Sequence, residues 1–193
     1  MRIFVFIIFL LFCTTLFGCA EKNEDTAGNI SNEEQFINSP ITGNTSHVLN
    51  VKGILSENNI PSFSWHNEQG DVVTLESYKG KVVIINFWAT WCAPCRKEIP
   101  DFITVYNKYR SQGVEFLGIS LDSQLDLDEL AEFAADNEIN YQIILDNGNL
   151  DLAFGGVEAV PTTFVIGKDF TVKAIHTGSL DEVSLEKLVR SEL

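Results

Sequence analysis

The sequence predicts an α/β domain with a mixed central sheet flanked by helices. Three observations carry that prediction. Val82-Val83-Ile84-Ile85-Asn86-Phe87-Trp88 is a β-branched, apolar run too short for a helix, and it reads as a strand buried on both faces. Just beyond it, Ile99, Phe102, Ile103 and Tyr106 recur at helical spacing. Farther along, strand-like and helix-like stretches alternate and end in a late hairpin, the order expected of such a domain.

The elements follow in chain order. Phe63 to Trp65 and Val72 to Leu75, joined across Asn67-Glu68-Gln69-Gly70, read as an N-terminal hairpin with a glycine-containing turn. Tyr78-Lys79-Gly80 turns the chain into the Val82–Trp88 strand. Pro100 lies inside the helical pattern that comes next. A kink is expected there, because proline lacks an N–H and its ring crowds the preceding turn. Val114 to Ile119 is the next strand. Leu127, Leu130, Ala131 and Ala134 then mark one helix face at i, i+3, i+4 and i+7. Tyr141 to Leu145 is a strand stopped by the turn signal Asp146-Asn147-Gly148. Leu150 to Phe154 is a short helix and Thr162 to Ile166 a strand. Gly167-Lys168-Asp169 reverses the chain into Val172 to His176, and Leu185, Leu188 and Val189 mark a last helix.

The chemistry concentrates in Trp91-Cys92-Ala93-Pro94-Cys95, where two thiols stand between strand and helix. A helix N-terminus presents unpaired N–H groups and a partial positive charge. A thiolate there is stabilised, so the pKa of Cys92 should fall below that of a free thiol. Cys95 is near enough in sequence to close a disulfide behind it. The pair therefore reads as a redox dithiol. A structural zinc site would use the same pair but needs two more ligands at similar spacing. Cys13 and Cys19 lie in the N-terminal apolar segment, and His47, His66 and His176 are scattered. The strand-then-helix context favours redox chemistry, with no metal and no cofactor.

Lys81 to Pro100 resembles the active-site segment of the TlpA/ResA branch of the thioredoxin superfamily. Val160-Pro161-Thr162-Thr163-Phe164-Val165-Ile166 resembles the segment that holds a cis-proline facing the dithiol in that family. The resemblance runs from roughly Phe63 to the C-terminus. It implies a thioredoxin-like fold, with the helix and strand between Ser120 and Asp146 as the branch's central insertion. It also implies a protein-disulfide oxidoreductase. On that likeness Cys92 is the exposed nucleophile and Cys95 the more buried resolving thiol. Pro161 is cis and exposes the Val160 backbone to an extended substrate. Trp91, Pro94, Val160 and Gly178 form the substrate groove, and Trp88 belongs to the core. Asn86 stands where thioredoxin has a buried Asp, and asparagine cannot titrate. Glu98 matches an acidic residue of the branch proposed to move protons instead; a solvated helix glutamate is the other reading. More oxidising relatives often carry a His between the cysteines. Uncharged Ala93-Pro94 leans toward thioredoxin's potential of about −270 mV rather than DsbA's of about −120 mV. Substrates implied by the family are exported proteins, apocytochrome c during haem attachment among them, with a membrane thiol donor supplying electrons.

Two other functional classes can be built on these cysteines. A copper module would use Cys92, Cys95 and a distant His such as His176, but related chaperones space their cysteines more widely. A thiol peroxidase shares the central insertion, yet Thr90-Trp91-Cys92 has the wrong spacing between threonine and cysteine.

The N-terminus reads as an export signal over residues 1–18: Arg2, then a mostly apolar run from Ile3 to Phe17. Leu16-Phe17-Gly18-Cys19 resembles a lipobox, which implies Cys19 as the lipidation site and a membrane-anchored, extracytoplasmic lipoprotein; an uncleaved signal anchor is the alternative reading. Residues 19–54 are polar and read as a flexible tether, leaving residues 55–193 as the catalytic domain. The formal net charge of −14, from 13 basic and 27 acidic residues, disfavours nucleic acid as a partner.

Overall fold

The computed structural model describes residues 44–57 and 59–193. They form one eight-stranded mixed sheet in the order β3-β2-β1-β6-β5-β4-β7-β8. The strands are β1 (Thr45–Lys52), β2 (Ser62–His66), β3 (Val72–Thr74), β4 (Val82–Trp88), β5 (Val114–Ser120), β6 (Gln142–Leu145), β7 (Thr162–Ile166) and β8 (Val172–Thr177). Four helices accompany them: α1 (Ala93–Tyr109), α2 (Leu127–Asp136), α3 (Leu150–Ala153) and α4 (Glu182–Ser191). The predicted N-terminal hairpin is β2–β3, and the predicted central insertion is α2 with β6.

β4 sits near the middle and is buried along its whole length. It pairs in parallel with β5 and antiparallel with β7. Alternation sends its side chains to two cores. On one face, Val82, Ile84 and Trp88 pack with Ile99, Phe102 and Val105 of α1, Leu130 of α2 and Leu185 of α4. On the other, Val83, Ile85 and Phe87 pack with Phe63 and Trp65 of the hairpin. Phe87, Phe154 and Phe164 complete that second core as a cluster with ring centroids 5.1–5.7 Å apart.

The sequence division at residue 54 is corrected by β1. Thr45–Lys52, assigned to the tether, is a strand inside the sheet. It pairs with β6 in parallel, Ser46 opposite Ile144, and with β2 antiparallel, Val48 opposite Trp65. Its polar composition hid it. Thr45 and Ser46 are buried, and the Ser46 hydroxyl accepts the His66 N–H at 3.2 Å. A strand paired on both sides has its backbone groups satisfied, so it needs few apolar side chains to hold its place. The signal segment, Cys13, Cys19 and the rest of the proposed tether lie outside the described residues.

Pro100 does not interrupt α1, which runs through it. Proline and Arg96, whose carbonyl loses its intrahelical donor, are both exposed, so water can replace the missing bond. Among the described residues no helix is long and apolar enough to cross a membrane.

Candidate active site

The dithiol is built by the end of β4 and the start of α1. After Trp88 the chain makes a tight turn in which the Cys92 N–H donates to the Ala89 carbonyl at 3.1 Å. Cys92 is the N-cap of α1, and Pro94 occupies its first turn, where a missing N–H costs nothing. The Cys95 N–H donates to Cys92 Sγ at 3.2 Å. One of the helix's orphan donors is thereby aimed at the sulfur, as the strand-then-helix reading requires. Cys92 and Cys95 are joined as a disulfide with an S–S distance of 2.05 Å. Cys95 is buried, with 1% of its surface exposed. Cys92 was expected to be exposed and instead keeps only 5%. Joined to Cys95 under the first turn of α1, its sulfur faces the Val160 carbonyl oxygen at 3.7 Å.

Several groove residues converge on this point. The Val160–Pro161 peptide is cis. The Gly178 N–H donates to the Pro161 carbonyl at 2.8 Å, and Ser179 Oγ donates to the Pro94 carbonyl at 3.3 Å. Gly178 has φ of +106°, a backbone that L side chains rarely adopt. These bonds tie α1, the β7 entrance and the end of β8 together. Trp91 stands 71% exposed beside the dithiol, Pro94 is exposed and Val160 half-buried. Trp88 is core, as expected, and packs on Phe133 with centroids 5.5 Å apart.

Glu98 is not a solvated helix residue. It is 3% exposed and lies three residues past Cys95, on the same face of α1. Asn86 Nδ2 donates to its Oε1 and the Leu180 N–H to its Oε2, each at 3.0 Å. Burial pushes its pKa up to about 7, against the pull of those two hydrogen bonds, with Asp101 adding a smaller push upward. Asn86 also donates to Thr163 Oγ1 at 3.1 Å, across the β4–β7 pairing. Leu180 as a partner of Glu98, and Thr163 as a partner of Asn86, escaped the sequence reading. Period-2 patterning marks Thr163 as inward, but its pairing with Asn86 spans 77 positions.

His176 sits opposite Thr163 on β8. Among the described residues no three His, Cys, Asp or Glu side chains converge where a metal could be held.

Residues 57–175 match the AhpC/TSA family. Over 132 residues the chain is 34% identical to the thiol-disulfide oxidoreductase ResA of Geobacillus thermodenitrificans, covering 68% of this chain and 74% of that one. It is 33% identical over 123 residues to ResA of Bacillus subtilis, covering 63% and 67%. Among solved structures it resembles a thioredoxin-family thiol:disulfide interchange protein of Chlorobium tepidum. That match has a TM-score of 0.64 and 31% identity, and covers 72% of this chain and 97% of the other. StoA of Bacillus subtilis matches with a TM-score of 0.57 and 25% identity over 66% of this chain and 95% of its own.

Proposed function

The chain belongs to the AhpC/TSA family and is a ResA-like protein-disulfide oxidoreductase, and from that premise we propose that it reduces disulfides in exported proteins through Cys92 and Cys95. The observation that carries the reading is the Cys95 N–H on Cys92 Sγ at the N-terminus of α1. In the reduced protein that donor meets a thiolate, the attacking species. Cys92 attacks one sulfur of the substrate disulfide. A Cys92–substrate S–S bond forms, the substrate's own S–S bond breaks, and the leaving sulfur takes a proton. Cys95 then loses its proton and attacks Cys92 Sγ. The substrate departs as a dithiol, and the enzyme is left with the Cys92–Cys95 disulfide seen here. Two electrons and two protons from a membrane thiol donor restore the dithiol.

Glu98 is the proposed acceptor of the Cys95 proton. A buried carboxyl with a pKa near 7 is half ionised near neutrality, which suits a group that must take a proton and give it back. The exposed Trp91 and Pro94, with Val160 and Gly178, are the proposed substrate groove. Apocytochrome c is one candidate among exported substrates. The peroxidase alternative has no support from residue spacing at Thr90-Trp91-Cys92.

The proposed location is the outer side of a bacterial membrane, through lipid on Cys19. Its support is the Leu16-Phe17-Gly18-Cys19 run after an apolar segment.

Cys92→Ser should abolish turnover of a protein disulfide, and Cys95→Ser should trap mixed disulfides whose partners identify the substrate. Undiminished turnover by Cys92→Ser would overturn the reading. In the same cells Cys19→Ala should lose lipid labelling, and a mature protein that retains Met1 would refute the anchor.

A further inference from the structure

The far end of β5 reaches across to the active-site turn through one side chain. Leu121 N–H donates to the Trp88 carbonyl at 2.9 Å, which carries the β4–β5 contact one residue past the strand. Asp122 follows and is 4% exposed. Its Oδ2 accepts the Thr90 N–H at 2.9 Å and its Oδ1 accepts the Thr90 hydroxyl at 2.8 Å. Its Oδ2 also accepts the Ser120 hydroxyl at 2.8 Å, and its own N–H donates to Ser120 Oγ at 3.2 Å. The carboxylate is thus held from β5 and grips Thr90 by both backbone and side chain.

Thr90 is a central residue of the Ala89–Cys92 turn, the turn that delivers Cys92 to the N-cap of α1. Hydrogen bonds to a buried carboxylate are charge-assisted and directional. Two of them on one residue fix its orientation as well as its position. The neighbour on the other side, Trp91, is exposed and contributes no such hold.

We infer that Asp122 is a positioning residue for the attack by Cys92: its clamp on Thr90 fixes the turn that aligns the sulfur with the N–H groups of α1. The inference rests on Cys92 being the nucleophile. It assigns Asp122 a geometric part, distinct from an electrostatic one. A negative charge nearby would by itself oppose thiolate formation, so the clamp and the charge pull the thiol in opposite directions.

Substitution separates the two. Asparagine at 122 can place its oxygen where Oδ2 lies, under the Thr90 N–H and Ser120 hydroxyl. Its amide N–H2 then donates to a turned Thr90 hydroxyl. Asp122→Asn therefore keeps the clamp and removes the charge; Asp122→Ala removes both. Thr90→Val removes the hydroxyl leg and leaves the N–H.

The test measures reduced full-length protein in two ways: the rate of Cys92 with a small aromatic disulfide, and its thiolate absorbance against pH. Asp122→Ala should slow attack about tenfold near neutral pH, the scale of cost expected when a reacting group is misplaced by a fraction of an ångström. Its thiolate should form at higher pH than in wild type. Asp122→Asn should stay close to wild type in rate, with Thr90→Val between the two. If Asp122→Ala changes neither reading while Cys92→Ser is inactive, Asp122 is packing only and the inference is wrong. If Asp122→Ala and Asp122→Asn both shift the thiolate to lower pH, the carboxylate acts by charge and the inference is again wrong. Should Asp122→Ala fail to fold, Thr90→Val against Asp122→Asn decides: the clamp requires the first to be the slower. Activity surviving in Cys92→Ser would instead sink the underlying dithiol reading.

Discussion

Glu98 shows how far one residue's environment can depart from its sequence neighbourhood. Its pKa of about 7 stands above the ordinary value of 4.5, so the folded protein holds a proton there that the unfolded chain releases. Its contribution to stability is therefore fully present below about pH 4.5 and is lost as pH rises through about 7. The loss is on the order of 3 kcal/mol for a shift of this size at a buried site. Glu98→Gln removes the titration. Its amide can be paired if the Asn86 side chain turns over and the Thr163 hydroxyl donates. Chemical denaturation of the oxidised protein from pH 4 to 8 should show wild type losing stability over that window while Glu98→Gln stays flatter. Asp146, also raised by burial, contributes to both and cancels in the difference. Parallel curves would refute the assignment. With reduced protein, Glu98→Gln should lower the pH at which Cys92 ionises, since a nearby anion is gone. It should also slow release of the mixed disulfide, because Cys95 loses its proton acceptor.

At the scale of elements, the sequence speaks where periodicity and caps coincide. α2 starts at a capping box: Asp126 Oδ1 accepts the Glu129 N–H at 2.9 Å, and Glu129 Oε2 accepts the Asp126 N–H at 3.1 Å. Its apolar positions Leu127, Leu130 and Ala134 are buried. Asp126→Ala should cost about 1 kcal/mol, the usual worth of an N-cap. No residue proposed to act on thiols lies on α2, so thermal unfolding should shift downward with disulfide exchange unchanged. An unshifted transition would show the cap to be idle. β4 and α1 were legible for similar reasons, a continuous apolar run and a 3.6-residue stripe. The course of α1 through Pro100 agrees with the sequence, which places the proline inside the helical stripe.

For the molecule as a whole, β1 matters most. It lies between β2 and β6, so it joins the hairpin to the rest of the sheet. Asn44, just before it, also binds the loop ahead of β6: its Nδ2 donates to the Ile139 carbonyl at 3.0 Å and to the Tyr141 carbonyl. A chain starting at Leu55 would leave β2–β3 without a partner and one edge of β6 open to solvent or aggregation. It should lack a cooperative thermal transition, whereas a chain starting at Asn44 should retain one. Equal transitions in the two would show that β1 is dispensable.

The sequence by itself determined the dithiol, its seat between strand and helix, the α/β class and most strands and helices. Those features are local: they depend on the order of apolar, β-branched and capping residues within a few turns. Tertiary structure decided which polar residues are buried and what they touch. Ser46, Asn86, Glu98, Asp122 and Thr163 are polar residues whose partners no local pattern names, yet each lies within the fold with a partner brought from another element or strand end. Burial of a polar group is tolerated only when such a partner is in reach, and reach is set by sheet order and helix packing rather than by distance along the chain.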